Sequence, residues 1–218
     1  MAVSTTVLRS LPIFDTLDDG RLAPIARVAS LRHAARGSVV VREGDRTDNI
    51  YFVVNGHLKV SVSDDEGREV ILSILGPGEL FGEMGVLDNN PRSATITATH
   101  SSDLVTINKA DFQSCLMGNF DISLFIMRGL AQRLRQADRK IESLALMDVF
   151  GRVARLLLDL SEDENGKRVV RKKLTKQDIA KMIGASREMV SRVMTDLRSQ
   201  GLLEEDGNTI ILHGEFGQ

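Results

Sequence analysis

The sequence predicts an α+β chain: an antiparallel, jelly-roll-like β-roll over residues 1–110, a long helix over 111–147 and a winged helix-turn-helix over 148–218. Three observations carry this. Short β-branched stretches alternate with glycines through the first part of the chain, an apolar repeat runs from Met127 to Leu144, and two capped amphipathic segments meet at Gly184. The length of 218 residues fits one to two domains, and 42% hydrophobic with 27% charged residues is ordinary for a globular chain with a core.

The roll is read from Ser38–Val41, Ile50–Val54, Leu58–Val62 and Val70–Leu75, which are separated by glycines such as Gly37, Gly44, Gly56 and Gly67. In the third stretch Leu58, Val60 and Val62 alternate with Lys59 and Ser61, the pattern of a half-buried strand. Asn55-Gly56 is a two-residue turn signal and Asp64–Gly67 a longer one. Evenly spaced short strands with turns between them suggest a sandwich or roll.

From Asp111 to Met147 the period becomes helical. Met127, Leu130, Leu134, Ala137, Ile141 and Leu144 are spaced 3, 4, 3, 4, 3, an a/d seam of nearly three heptads. The preferred reading is a homodimeric coiled coil; a helix covering the roll uses the same residues. Beyond it Val149, Val153, Leu156, Leu157 and Leu160 form the stripe of a core helix, and residues 161–168 read as a polar loop.

Thr175 and Asp178 have the spacing of a capping box, with Ile179, Ala180 and Ile183 turned inward. Gly184 permits the sharp turn, Ser186 is a second N-cap, and Val190, Val193, Met194 and Leu197 form the next buried face. That packing turns Arg187, Glu188, Ser191 and Arg192 outward on the second helix, where a helix-turn-helix reaches base edges in the major groove. Arginine can give two donors to guanine, and glutamate can accept from cytosine N4. Lys172, Lys173 and Lys176 suit phosphate contacts. Leu202–Leu212 reads as a two-stranded wing turning at Asp206-Gly207. An ordinary αα-hairpin is the alternative.

The net charge of −2 conceals a local imbalance. Residues 167–198 hold ten basic residues against Asp178, Glu188 and Asp196, a charge of +7, leaving −9 elsewhere from 18 basic and 27 acidic residues. A short basic segment on an acidic chain is what a phosphate-contacting module needs. The same charges also suit a solvated surface helix.

The single cysteine, Cys115, excludes a disulfide framework and a cysteine-cluster metal site. The absence of a signal-like N-terminus and of an apolar run near ~18 residues predicts a soluble cytoplasmic protein with no membrane partner. A metal-dependent enzyme on a β-roll would need a His-x-His pair, which the chain lacks, so no enzymatic activity is expected.

Arg42–Asp45 with Ile50–Gly56, Leu80–Leu87 with Pro91–Ala94, and the order roll, long helix, winged helix together resemble the CRP/FNR family of bacterial transcription regulators. The resemblance covers nearly the whole chain. It implies a cyclic-nucleotide-binding roll, a dimerisation helix over 111–147, DNA as partner and RNA polymerase as a further one. It also implies that Gly82, Glu83, Arg92 and Ser93 form the phosphate–ribose site. The chemistry agrees: residues from Gly82 would open a short helix with free amides, Glu83 can accept from a ribose hydroxyl, and Arg92 and Ser93 can hold a phosphate. An internal Glu83–Arg92 ion pair in a regulator with a vestigial pocket is the alternative.

At the positions where cAMP-responsive members carry a Thr-Ser pair, this chain has Ala137 and Asp138. Ala137 cannot hydrogen-bond a base, and Asp138 complements guanine N1–H and N2–H₂ better than adenine, unless it is simply a solvated helix charge. The expected effector is therefore a cyclic nucleotide, either cAMP or a guanine one such as cGMP or cyclic di-GMP. One cysteine cannot hold an iron–sulfur cluster, and His33, His57, His100 and His213 are scattered, so neither cluster nor haem is expected. Resemblance also implies that Arg187, Glu188 and Arg192 read TGTGA-like half-sites in a palindrome.

Overall fold

The computed structural model describes residues 3–171, 174–206 and 209–214. The chain forms two compact units, residues 1–132 and 133–218, with the long helix divided between them.

The first unit opens with helices rather than strands. These are α1 (Thr5–Arg9), a 3₁₀ turn at Pro12–Phe14 and α2 (Asp19–Val28), which is capped by Asp18 accepting from Arg21 N–H. The expectation of strands from the first residue is thereby corrected: Leu22, Ile25 and Ala26 are buried on one face of α2 although Gly20 and Pro24 blur its period.

Eight strands follow: β1 (Ser30–Ala34), β2 (Val39–Val41), β3 (Asn49–Asn55), β4 (Leu58–Ser63), β5 (Glu69–Leu75), β6 (Leu80–Phe81), β7 (Thr95–Ala98) and β8 (Ser102–Asn108). They form two antiparallel sheets ordered β1-β8-β3-β6 and β2-β7-β4-β5. Alternate residues of β3 serve two cores. Ile50 and Phe52 pack with the helices, Phe52 lying 5.2 Å from Phe14 and 6.2 Å from Phe112 by ring centroids. Tyr51 and Val53 face the second sheet with Leu58, Leu75 and Ile96.

Two local readings change. Asn55-Gly56 turns the chain, but from one sheet to the other rather than within a hairpin. Gly56 has φ +89°, and a Cβ there would lie 2.2 Å from Ser102 Oγ. The alternation expected in β4 is also broken. Ser61 is buried while Val60 and Val62 are half-buried, and the pairing with β5 shifts register between Val60 and Ser61.

Segment 111–147 is two helices, with α3 (Met84–Asp88) preceding them in the chain. Helix α4 (Lys109–Gly118) stops at Asn119, whose extended backbone separates it from α5 (Phe120–Leu146). Ile122 and Ile126 of α5 join the first core, and of the seam Leu130 packs against it while Met127 is 51% exposed, so the covering reading holds at Leu130. Farther along, Leu134, Ile141 and Leu144 are 64%, 65% and 55% exposed, and it fails.

In the second unit α6 (Val149–Leu160) starts at its N-cap Asp148, which accepts from Gly151 N–H. The expected loop at 161–168 is instead a hairpin of β9 (Glu162–Glu164) and β10 (Lys167–Val170), turning through Asn165 at φ 55° and Gly166 at φ 79°. In register, Glu164 stands opposite Lys167 and Asp163 opposite Arg168, and Arg171 pairs with the Glu164 carboxylate, so the hairpin lacks the apolar alternation that announces a strand. Helices α7 (Lys176–Ile183) and α8 (Arg187–Ser199) follow, then β11 (Leu203–Asp206) and β12 (Thr209–Leu212), in a sheet ordered β11-β12-β10-β9. The wing expected from sequence is present as β11 and β12; Gly207 at its tip lies outside the described residues. Leu157, Val170, Ile179, Val190, Leu197 and Leu212 share its core.

Candidate nucleotide and nucleic-acid sites

Strand β6 ends at Phe81, and the chain leaves it through Gly82 at φ +81°. A Cβ at this position would lie 2.3 Å from Arg92 Nη1, so glycine answers both the backbone conformation and the approach of the guanidinium. Helix α3 begins at Met84, two residues later than expected, with Glu83 as an N-cap of helical backbone.

Arg92 is 8% exposed. Its Nη1 donates to Gly82 O at 2.9 Å and its Nη2 to Asn49 O at 2.5 Å. Its carbon Cζ sits 5.8 Å from the centroid of Tyr51, which stacks on Phe81 at 4.9 Å. Burial lowers the Arg92 pKa, and the electrostatic influence of Tyr51, Asp48, Glu83 and Asp45 opposes that shift. Its backbone is clamped as well: Arg92 N–H donates to Asp45 O and Gly44 N–H to Arg92 O, both at 2.9 Å. The stretch Arg42–Asp45 thus frames the arginine.

Glu83 is 2% exposed. Ser93 is exposed, with its hydroxyl 3.9 Å from Met84 Sδ. The structure therefore gathers Gly82, Glu83, Arg92 and Ser93 around one loop pair. A guanidinium has five N–H donors and these bonds use two, so donors remain for an anion. Ala137 and Asp138 are exposed on α5 in the other compact unit. Asn49 and Tyr51 were not legible as partners of Arg92, because a carbonyl acceptor and a core aromatic carry no sequence signature.

In the second unit the capping box is formed: Thr175 Oγ1 accepts from Asp178 N–H while the Asp178 carboxylate accepts from Thr175 N–H. Gly184 ends α7 at φ 64° and Ser186 caps α8. Val190, Val193, Met194 and Leu197 are buried, leaving Arg187, Glu188 and Arg192 exposed and Ser191 half-exposed. The Glu188 carboxyl is held below the usual carboxylate range, first by its own backbone N–H, then by the Ser186 hydroxyl and the charges of Arg187 and Arg192. It is thus an acceptor at neutral pH. Lys176 is the half-exposed first residue of α7, whereas Lys172 and Lys173 lie outside the described residues. An Arg198–Glu205 ion pair ties α8 to the wing.

Comparison with known proteins matches both halves. Residues 31–119 fit the cyclic nucleotide-binding domain family and residues 151–215 the Crp-like helix-turn-helix domain family. The cAMP-activated global transcriptional regulator Vfr of Pseudomonas aeruginosa is 35% identical over 193 residues, covering 84% of this chain and 88% of that protein. A CRP-like cAMP-activated global transcriptional regulator of Mycobacterium tuberculosis is 30% identical over 210 residues, 94% of each chain. Among solved structures, the c-di-GMP responsive global regulator CLP of Xanthomonas campestris superposes with TM-score 0.74 at 30% identity, covering 90% of this chain and 100% of that one. No helix among the described residues is long and apolar enough to cross a membrane. A nucleotide-binding roll followed by a Crp-like reading head, with likeness to these regulators over most of its length, places the chain in the CRP/FNR family of DNA-binding transcription regulators.

Proposed function

We propose that the protein is a homodimeric transcription factor of the cytoplasm, gated by a cyclic nucleotide and acting with RNA polymerase. The observation that carries the gate is Arg92, a buried cation framed by the Gly82 turn and the Arg42–Asp45 loop. In this reading Gly82, Glu83, Arg92 and Ser93 take the phosphate and ribose. Ala137 and Asp138 face the base, and Asp138 favours guanine. The exposed seam of Leu134, Ile141 and Leu144 pairs with a second copy. Ligand contact that differs between two helix arrangements shifts their populations, and the change passes to the reading head through Met147-Asp148.

On DNA, Arg187, Glu188, Ser191 and Arg192 read bases while Lys172, Lys173 and Lys176 hold phosphates. Two-fold symmetry implies a palindrome of TGTGA-like half-sites about one helical turn apart. Operator affinity measured across a salt series should fall steeply; a flat response removes the basic segment as the binding surface. Arg192→Ala should abolish preference for operator over random duplex, and a retained preference overturns the recognition-helix assignment.

A second reading is favoured by the two backbone carbonyls that already engage Arg92: a regulator that needs no ligand. Calorimetric titration of the full chain with cAMP, cGMP and cyclic di-GMP separates the two. Heat with any of them supports the gate; three blank titrations select the ligand-independent form.

A further inference from the structure

The ring of Tyr51 has two cationic neighbours. Arg92 Cζ lies 5.8 Å from its centroid and Arg32 Cζ 5.7 Å. Arg92 has Asp45, Asp48 and Glu83 among the groups acting on its charge. Arg32, reaching over from β1, donates to the Tyr51 hydroxyl at 3.3 Å and has no carboxylate partner among the described residues. A second feature lies in the same row of the sheet. Thr106 of β8 stands directly opposite Tyr51, and its Oγ1 is buried with no hydrogen-bond partner. Two guanidiniums therefore share one aromatic wall beside an unsatisfied hydroxyl, and one of them is uncompensated.

We infer that Arg32 is a second phosphate contact of the nucleotide site and that the effector is a cyclic dinucleotide. This rests on the reading of Arg92 as the first phosphate contact. A cyclic mononucleotide offers one phosphodiester, which Arg92 alone satisfies, and leaves Arg32 without an anion. A cyclic dinucleotide carries two phosphodiesters on one ring, matching two arginines that flank a single side chain. Guanidinium–phosphate bonds are charge-assisted and geometrically specific. Swinging Arg32 onto a phosphate releases the Tyr51 hydroxyl, which lies in register with the buried, unpartnered Thr106 Oγ1. Arg32 is exposed, so its replacement leaves the cores intact.

The test is calorimetric titration of full-length wild type, Arg32→Ala and Arg32→Lys with cyclic di-GMP, cGMP and cAMP. Wild type should bind cyclic di-GMP at least tenfold more tightly than either mononucleotide. Arg32→Ala should lose about tenfold or more for cyclic di-GMP while its mononucleotide affinities stay within about twofold, with partial recovery in Arg32→Lys. Equal losses for all three ligands, or an unchanged affinity for cyclic di-GMP, overturn the inference. Binding of mononucleotides alone overturns it and leaves the gate standing. A wild type that binds none of the three removes both.

Discussion

Arg152 of α6 donates from Nη1 to the main-chain oxygen of Ile183, the last residue of α7, at 2.8 Å. The last turn of a helix leaves carbonyls without intrahelical partners and carries the negative end of its dipole. A cation from a neighbouring helix answers both at the turn that sets the angle between α7 and α8. Arg152→Ala should destabilise the protein by about 1.5–3 kcal/mol, the range for hydrogen bonds to charged groups. Chemical denaturation of the full chain measures this, and an unchanged midpoint for the second unit would show the bond to be idle.

Gly82→Ala introduces a left-handed alanine, costing about 1–2 kcal/mol, with its Cβ placed against Arg92 Nη1. Nucleotide affinity should fall by tenfold or more in a calorimetric titration, while the preference for operator over random duplex is retained. Retained affinity would show that Arg92 can move aside.

Leu134→Asp combined with Ile141→Asp places charges on two exposed seam positions that belong to none of the three cores of a single chain. Sedimentation or light scattering should report the mass of one chain for the variant and of two for wild type. A dimeric variant would place the interface elsewhere.

Thr175→Ala removes the hydroxyl that accepts from Asp178 N–H. Loss of such a cap costs about 1 kcal/mol. The melting temperature should drop by a few degrees, with sequence preference on DNA preserved.

Cys115 is half-buried, and burial first, then the charge of Asp111, pushes its thiol pKa up. A raised value keeps the neutral thiol to higher pH, and only the thiolate is nucleophilic. Iodoacetamide at pH 8 should therefore label the native protein much more slowly than the denatured one; equal rates would contradict the shift.

The reading head was almost wholly legible because its signals are local. Thr175, Asp178, Gly184 and Ser186 each act within one helical turn, so residue type and spacing suffice. The hairpin at Glu162–Val170 was not, since its charged cross-strand pairs imitate a solvated loop until partner strands are known. The N-terminal helices were hidden by Gly20 and Pro24, although Asp18 followed by Leu22, Ile25 and Ala26 was a usable signal.

By itself the sequence determined the order roll, long helix and winged helix-turn-helix, the caps of α7 and α8, the outward residues of α8 and the loop motif around Arg92. Only the tertiary structure decided that Arg92 would meet Asn49 O, that Arg32 would reach the Tyr51 hydroxyl, and that the seam would stay exposed beyond Leu130. Periodicity and capping are properties of neighbours in the chain. Which distant groups meet depends on strand register and on which faces find a partner to bury against.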